Sequence, residues 1–197
     1  MIDVSGVILS AGESRRMGPQ NKALAILCGQ TLVERVMDRL APQVDRIIIS
    51  GDRQLLGHLP YDIIEDETGP HRGPLMGLHS VFQSSLVQSE HLMMVACDGV
   101  FFPANVVAKL HALVLENNAD IGCIRYRGFP QPMFSLWNKR TAPSIACAVL
   151  EKRLGGFKLL LASLRSVYLD WPENSINPFF NINTPKDLRY AETILCP

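Results

Sequence analysis

The feature that most constrains this chain is an alternation. Short apolar runs of strand length recur between segments of helical periodicity. Residues 6–9 (GVIL), 46–50 (RIIIS), 62–65 (DIIE), 91–97 (HLMMVAC) and 119–125 read as strands. Residues 31–40 place Leu32, Val33, Val36 and Leu40 on one helical face. Residues 74–86 and 104–116 read as helices, the first opened by a Gly-Pro turn and the second begun after Pro103. This order predicts an α/β fold with mostly parallel strands, doubly wound. Past residue 125 the pattern loosens. A strand over 131–137, read as antiparallel, is followed by helical segments at 141–150 and 157–164. A strand at 166–171 and a closing helix over 185–195 complete the chain, with Pro185 in the first turn of that helix. No repeat or linker interrupts the order, so residues 1–197 are read as one domain.

Composition removes several function classes. Lys plus Arg and Asp plus Glu are both 19, so a general affinity for nucleic acid or an anionic membrane surface is not expected. No apolar run reaches the roughly 18 residues of a membrane span, and no signal-peptide pattern opens the chain. The five cysteines form no C-x-x-C pair and are odd in number, which predicts reduced thiols in a cytoplasmic protein. The five histidines show no zinc spacing.

In open α/β sheets, ligands sit beyond the carboxyl ends of the strands. Residues 9–18, 50–53, 66–77 and 98–103 all follow predicted strands and should therefore crowd one edge. The first carries Leu9-Ser10-Ala11-Gly12-Glu13-Ser14-Arg15-Arg16-Met17-Gly18, with Lys22 shortly after. Small residues after a strand let backbone N–H groups approach an anion, and the basic side chains add charge where phosphates would lie. Taken alone, a polar turn with a solvated basic face accounts for the same residues. The string is neither a Walker loop nor G-x-G-x-x-G. Asp98, at a strand end, suits a hard cation such as Mg²⁺, and equally suits a turn or a helix N-cap. Cys97 reads as a core thiol, Trp137 and Trp171 as packing, and His71 and Arg72 as a surface loop.

Five segments, in order, resemble the molybdenum cofactor guanylyltransferase (MobA-like) branch of the nucleotidyltransferase superfamily. They are the loop from Leu9 to Gly18 with Lys22, Gly73-Pro74-Leu75-Met76-Gly77-Leu78, Cys97-Asp98, Pro130-Gln131-Pro132-Met133, and Asn181-Ile182-Asn183-Thr184-Pro185-Lys186-Asp187-Leu188. The resemblance spans nearly the whole chain. It implies a Rossmann-like three-layer sandwich with a mostly parallel twisted sheet and an antiparallel C-terminal portion. It implies transfer of GMP from MgGTP to molybdopterin, with release of pyrophosphate and formation of the guanine dinucleotide. Carried over, Leu9, Ser10, Ala11, Gly12, Lys22, Ser50, Asp66, Gly73 and Asp98 would bind the nucleotide. Arg16, Lys22 and Asp98 would be catalytic, Asp98 would hold Mg²⁺, and Asn181 and Asn183 would face the acceptor. GTP and molybdopterin are the implied partners, with molybdoenzyme apoproteins or chaperones as candidate recipients of the product.

Three positions depart from the family pattern. Ala11 stands where guanylyltransferases usually have the first glycine of a pair, and L-x-A-G is commoner among cytidylyltransferase relatives. Gly99-Val100-Phe101 follows Asp98 in place of Thr-Pro-aromatic. Pro19-Gln20-Asn21 precedes Lys22. Transfer from CTP to the same acceptor, and a nucleotide-binding homologue of weak turnover with a regulatory role, therefore stand as alternatives. A sugar-phosphate nucleotidyltransferase would need a longer N-terminal signature and an added acceptor domain.

Overall fold

A computed structural model describes residues 3–10, 21–65 and 73–196. The chain opens with strand β1 (Val4–Leu9), buried at every position. A short hairpin, β2 (Ile26–Leu27) and β3 (Gln30–Thr31), leads into helix α1 (Leu32–Leu40). There follow β4 (Arg46–Ser50), α2 (Arg53–Leu56), β5 (Asp62–Ile64), α3 (Pro74–Gln83), β6 (His91–Ala96) and α4 (Val106–Glu116). The second half holds β7 (Ile121–Tyr126), β8 (Phe129–Asn138), α5 (Ala142–Ala146), α6 (Lys158–Ser163), β9 (Ser166–Trp171) and α7 (Pro185–Leu195).

All the strands but the hairpin join one seven-stranded sheet, ordered β5-β4-β1-β6-β8-β7-β9. Only β8 runs against its neighbours; β7 and β9 pair parallel to each other. The expected antiparallel C-terminal portion is thus a single inserted strand. Its cause is local. Arg127 and Gly128 adopt φ of 51° and 79°, so β7 turns straight back into β8, and a two-residue connection permits only antiparallel pairing.

The sheet is covered on both faces, which is why its inner strands read as unbroken apolar runs. Along β1, Val4 and Ile8 face one core with Val33, Leu40, Leu110 and Phe134, while Val7 and Leu9 face a second with Leu75, Leu78, Trp137 and Ile145. Gly6 allows α1 to pack closely, since a Cβ there would lie 2.7 Å from Leu40 Cδ2. Helix α1 starts where Thr31 and Glu34 cap each other's backbone N–H groups.

Several boundaries move. The helix expected over 74–86 ends at Gln83, because Ser84 is extended. The helix expected from residue 104 starts at Val106. The segment over 141–150 splits into α5 and a wider π turn, Cys147–Glu151. The β2–β3 hairpin and α2 were not expected, being too short to show a period. Cysteine chemistry needs a correction too. Cys28, in the hairpin turn, and Cys196, after α7, form a disulfide with Cα atoms 6.5 Å apart. They are 168 residues apart in sequence, so no local spacing announces the pair. Cys97 and Cys123 are free and buried, and burial pushes both thiols up to about 12, as suits core thiols. Among the described residues no helix is long and apolar enough to cross a membrane.

Candidate functional site

The register of the parallel strands aligns their carboxyl ends. Leu9 pairs with Ser50 on one side and Ala96 on the other, and Ser50 pairs with Ile64. The ladder extends one step past the strands. Ser10 N–H and Oγ both donate to Ser50 O (2.8 and 3.0 Å), Gly51 N–H donates to Ile64 O (2.9 Å), and Cys97 N–H donates to Leu9 O (3.1 Å). Leu9, Ser10, Ser50 and Asp98 therefore share one edge, as the sequence predicts. Gly51 is a residue the sequence reading missed. A Cβ there would fall 2.2 Å from Ser10 Oγ, so the hydroxyl keeps its bond to Ser50 only because position 51 has no side chain.

Two further segments close on Asp98. The first is a single turn, Lys22–Leu24, held by Asn21, whose Oδ1 accepts from Ala23 N–H at 2.9 Å. That bond gives Asn21 a function: it fixes the turn from which Lys22 projects. The second is the extended stretch before α7. Thr184 Oγ1 accepts from Asp187 N–H (3.2 Å) as the helix N-cap, Pro185 occupies the first turn, and Asp187 Oδ2 accepts from Asn183 N–H (3.0 Å). Ile182 N–H then donates to Asp98 O at 3.0 Å, stitching this stretch to the end of β6.

At the centre, the Lys22 ammonium pairs with Asp98 Oδ2 and donates to Asn183 Oδ1 at 2.7 Å. The Lys22 and Asp98 side chains are only 13% and 10% exposed, so the pair is shielded from water. Asn181 is held alongside: its Oδ1 is 3.2 Å from the position that a Cβ on Gly99 would take. Asp98 Oδ1 and Asn181 Oδ1 are both buried without a hydrogen-bond partner. One carboxylate oxygen and one amide oxygen left this way fit a Mg²⁺-type cation. Among the described residues no group of three or more His, Cys, Asp or Glu could hold a metal.

Lys22, Asp98 and Asn183 thus meet, with Asn181 against Gly99 next to Asp98 and Leu9, Ser10 and Ser50 on the adjoining strand ends. Gly73 stands at the start of α3, where its bare Cα admits Gly155; a Cβ would lie 2.7 Å from Gly155 O. Ala11, Gly12, Arg15, Arg16, Asp66, His71 and Arg72 lie outside the described residues. Trp137 is fully buried and donates to Ser135 Oγ (2.8 Å), while Trp171 packs on Phe179 beneath the Lys109 ammonium; both are packing residues.

This geometry agrees with what the chain resembles. A family model described as the MobA-like NTP transferase domain matches residues 6–167. A molybdenum cofactor guanylyltransferase of Rhodopseudomonas palustris (strain BisB5) is 31% identical over 193 residues, covering 95% of this chain and 92% of the relative. The molybdopterin-guanine dinucleotide biosynthesis protein A of Archaeoglobus fulgidus has the same fold, with a TM-score of 0.81 at 24% identity over 96% of this chain and 97% of that one. So does Rv0371C of Mycobacterium tuberculosis, solved in complex with manganese, with a TM-score of 0.67 at 16% identity over 96% of this chain and 98% of that one.

Proposed function

The chain belongs to the MobA-like NTP transferase domain family and is a nucleotidyltransferase, and from that premise we propose that it is a molybdenum cofactor guanylyltransferase, moving GMP from GTP to molybdopterin and releasing pyrophosphate. The observation that carries this reading is the meeting of Lys22, Asp98 and Asn183 where β6 ends, with Asp98 Oδ1 and the nearby Asn181 Oδ1 buried and turned to no protein donor. Mg²⁺ is the proposed cofactor, held by Asp98 with the Asn181 amide oxygen beside it; bound with the triphosphate, it would supply Lewis-acid stabilisation of phosphoryl charge.

The protein's own part is positioning and charge. An acceptor phosphate is ionised at neutral pH, so attack on the α-phosphorus needs neither a protein nucleophile nor a strong base. Lys22 offers a donor to the phosphates, and in this reading Arg16 offers a second, both offsetting charge that builds on the leaving pyrophosphate. Ser10 and Ser50, with backbone groups of Leu9, Ala11 and Gly12, would seat the nucleoside together with Asp66 and Gly73. Asn183 sits between Lys22 and α7, on the side assigned to the acceptor. This chemistry draws on cytoplasmic GTP, so we place the enzyme in the cytoplasm.

The test is a labelling comparison. Purified protein with molybdopterin and Mg²⁺ receives GTP or CTP labelled at the α-phosphate. Label entering the pterin from GTP, with stoichiometric pyrophosphate, is expected. Label entering from CTP instead would replace the base, and GTP binding with no pyrophosphate would replace catalysis with a regulatory role.

A further inference from the structure

Asp98 is nearly buried and carries a charge whose solvation the fold has largely removed. A buried carboxylate needs a counterion, and its loss leaves a costly unpaired charge. Lys22 fills that need in the protein itself, pairing with Asp98 Oδ2 while Asn183 Oδ1 accepts a second of its hydrogens. Asn21 anchors the turn beneath it, so the ammonium is aimed at these oxygens by a capped backbone rather than by a free loop.

We infer that Lys22 is an internal counterion that keeps the divalent-cation site closed until a triphosphate arrives. The inference rests on the guanylyltransferase reading and adds a second role to the residue read there as a phosphate contact. A bare divalent ion approaching Asp98 meets a positive charge already paired to that carboxylate. It must either displace the ammonium from its carboxylate partner or bind beside it, and both are unfavourable. An incoming triphosphate removes the obstacle. Its oxygens accept the Lys22 hydrogens, the ammonium moves from carboxylate to phosphate, and Asp98 is released for the cation that accompanies the nucleotide. Metal and nucleotide then enter together, and the free protein does not fill its site with metal alone. No covalent bond changes in this exchange; one ion pair replaces another.

A phosphate contact alone leaves metal affinity without nucleotide unchanged when Lys22 is replaced, whereas a counterion lock raises it. Mn²⁺ alone, titrated against wild-type protein and Lys22→Met and followed by the loss of its free paramagnetic resonance signal, should bind the variant about tenfold or more tightly. GTP without metal should bind the same variant more weakly. Asp98→Asn should lose Mn²⁺ binding in either background. If removal of the Asp98 counterion leaves Lys22→Met unfolded, the same titration on Lys22→Gln, which keeps a polar partner without charge, is expected to move in the same direction. Mn²⁺ affinity unchanged or weakened in a folded Lys22 variant overturns the inference. Failure of guanylyl transfer in wild-type protein with the Mn²⁺ result intact overturns the functional reading and leaves the lock standing.

Discussion

Gly99→Ala is the sharpest probe of how the fold sets its site. The added Cβ would lie 2.3 Å from Phe134 Cζ, 3.0 Å from Phe134 Cε1 and 3.2 Å from Asn181 Oδ1. The ring cannot yield cheaply. Phe134 is fully buried on β8, with the rings of Phe179 and Phe102 centred 5.2 and 6.1 Å away. Inserting a methyl into such packing costs about 1–3 kcal/mol. In a chain of this length each kcal/mol lowers Tm by about 2–4 °C. The strain is shared with the site, because the other neighbour of the new methyl is Asn181 and the next residue, Ile182, is bonded to Asp98 O. The variant should therefore unfold at lower urea and also lose turnover at saturating substrate. Phe134→Leu supplies room and isolates the cause. In that background Gly99→Ala should cost at least about 1 kcal/mol less than in wild type, as coupling between touching residues requires. Equal urea shifts in both backgrounds, or a wild-type-like Gly99→Ala, would refute the argument that position 99 is glycine for space.

Three other outcomes follow from the same geometry. Asp98→Asn should cut Mg²⁺-dependent transfer by at least about a hundredfold with circular dichroism unchanged, and unaltered rates would remove it from the chemistry. Gly51→Ala would set a methyl 2.2 Å from Ser10 Oγ and 2.9 Å from Leu56 Cδ1, so the GTP KM should rise several-fold with little change in kcat; an unmoved KM would separate Ser10 from nucleotide binding. Stability should fall on acidification. His91 and His111 meet edge-on at 4.9 Å, and burial holds both below the ordinary histidine value; their mutual repulsion adds to this for His91, while Asp3 opposes it at both and Glu90 at His91. Both are depressed in the fold, so their contribution is full above about pH 6.5 and is lost as pH falls through their folded values, where the unfolded chain takes up more protons. Urea midpoints between pH 7 and 5 should slope less in His91→Gln, and parallel slopes would exclude the pair.

What the sequence disclosed follows from what each residue answers to. Strands β1, β4 and β6 were legible because burial on both faces forces unbroken apolar runs, and α1 was legible through its apolar stripe. The antiparallel direction expected of the strand after residue 130 holds for β8, and the positive φ at Arg127 and Gly128 is its physical cause. The β2–β3 hairpin turns at Cys28 and Gly29, with φ of 47° and 78°, between strands of two residues, too short for any pattern. In the site, Lys22, Asp98 and Asn183 were each named through the resemblance their own segments carry. Their pairing was not, since 76 and 161 residues separate Lys22 from its two partners. Gly51 and Gly99 were missed because their role is an absence of volume, visible only once Ser10 and Phe134 stand opposite.

The choice of amides over further acids is intelligible from the same charges. Asp98 is matched by one ammonium, and the acceptors nearby, Asn183 Oδ1 on that ammonium and Asn181 Oδ1 beside Gly99, are neutral. A second carboxylate in this shielded space would need a second counterion in the free protein, at a desolvation cost that buried pairs often fail to recover. It would also repel a triphosphate that keeps net negative charge even with its metal. Amide oxygens supply acceptor atoms without either penalty, so a single acid among asparagines can be neutral when empty and can admit an anion with its cation. The lack of a cluster of three or more His, Cys, Asp or Glu among the described residues is then compatible with the proposed chemistry.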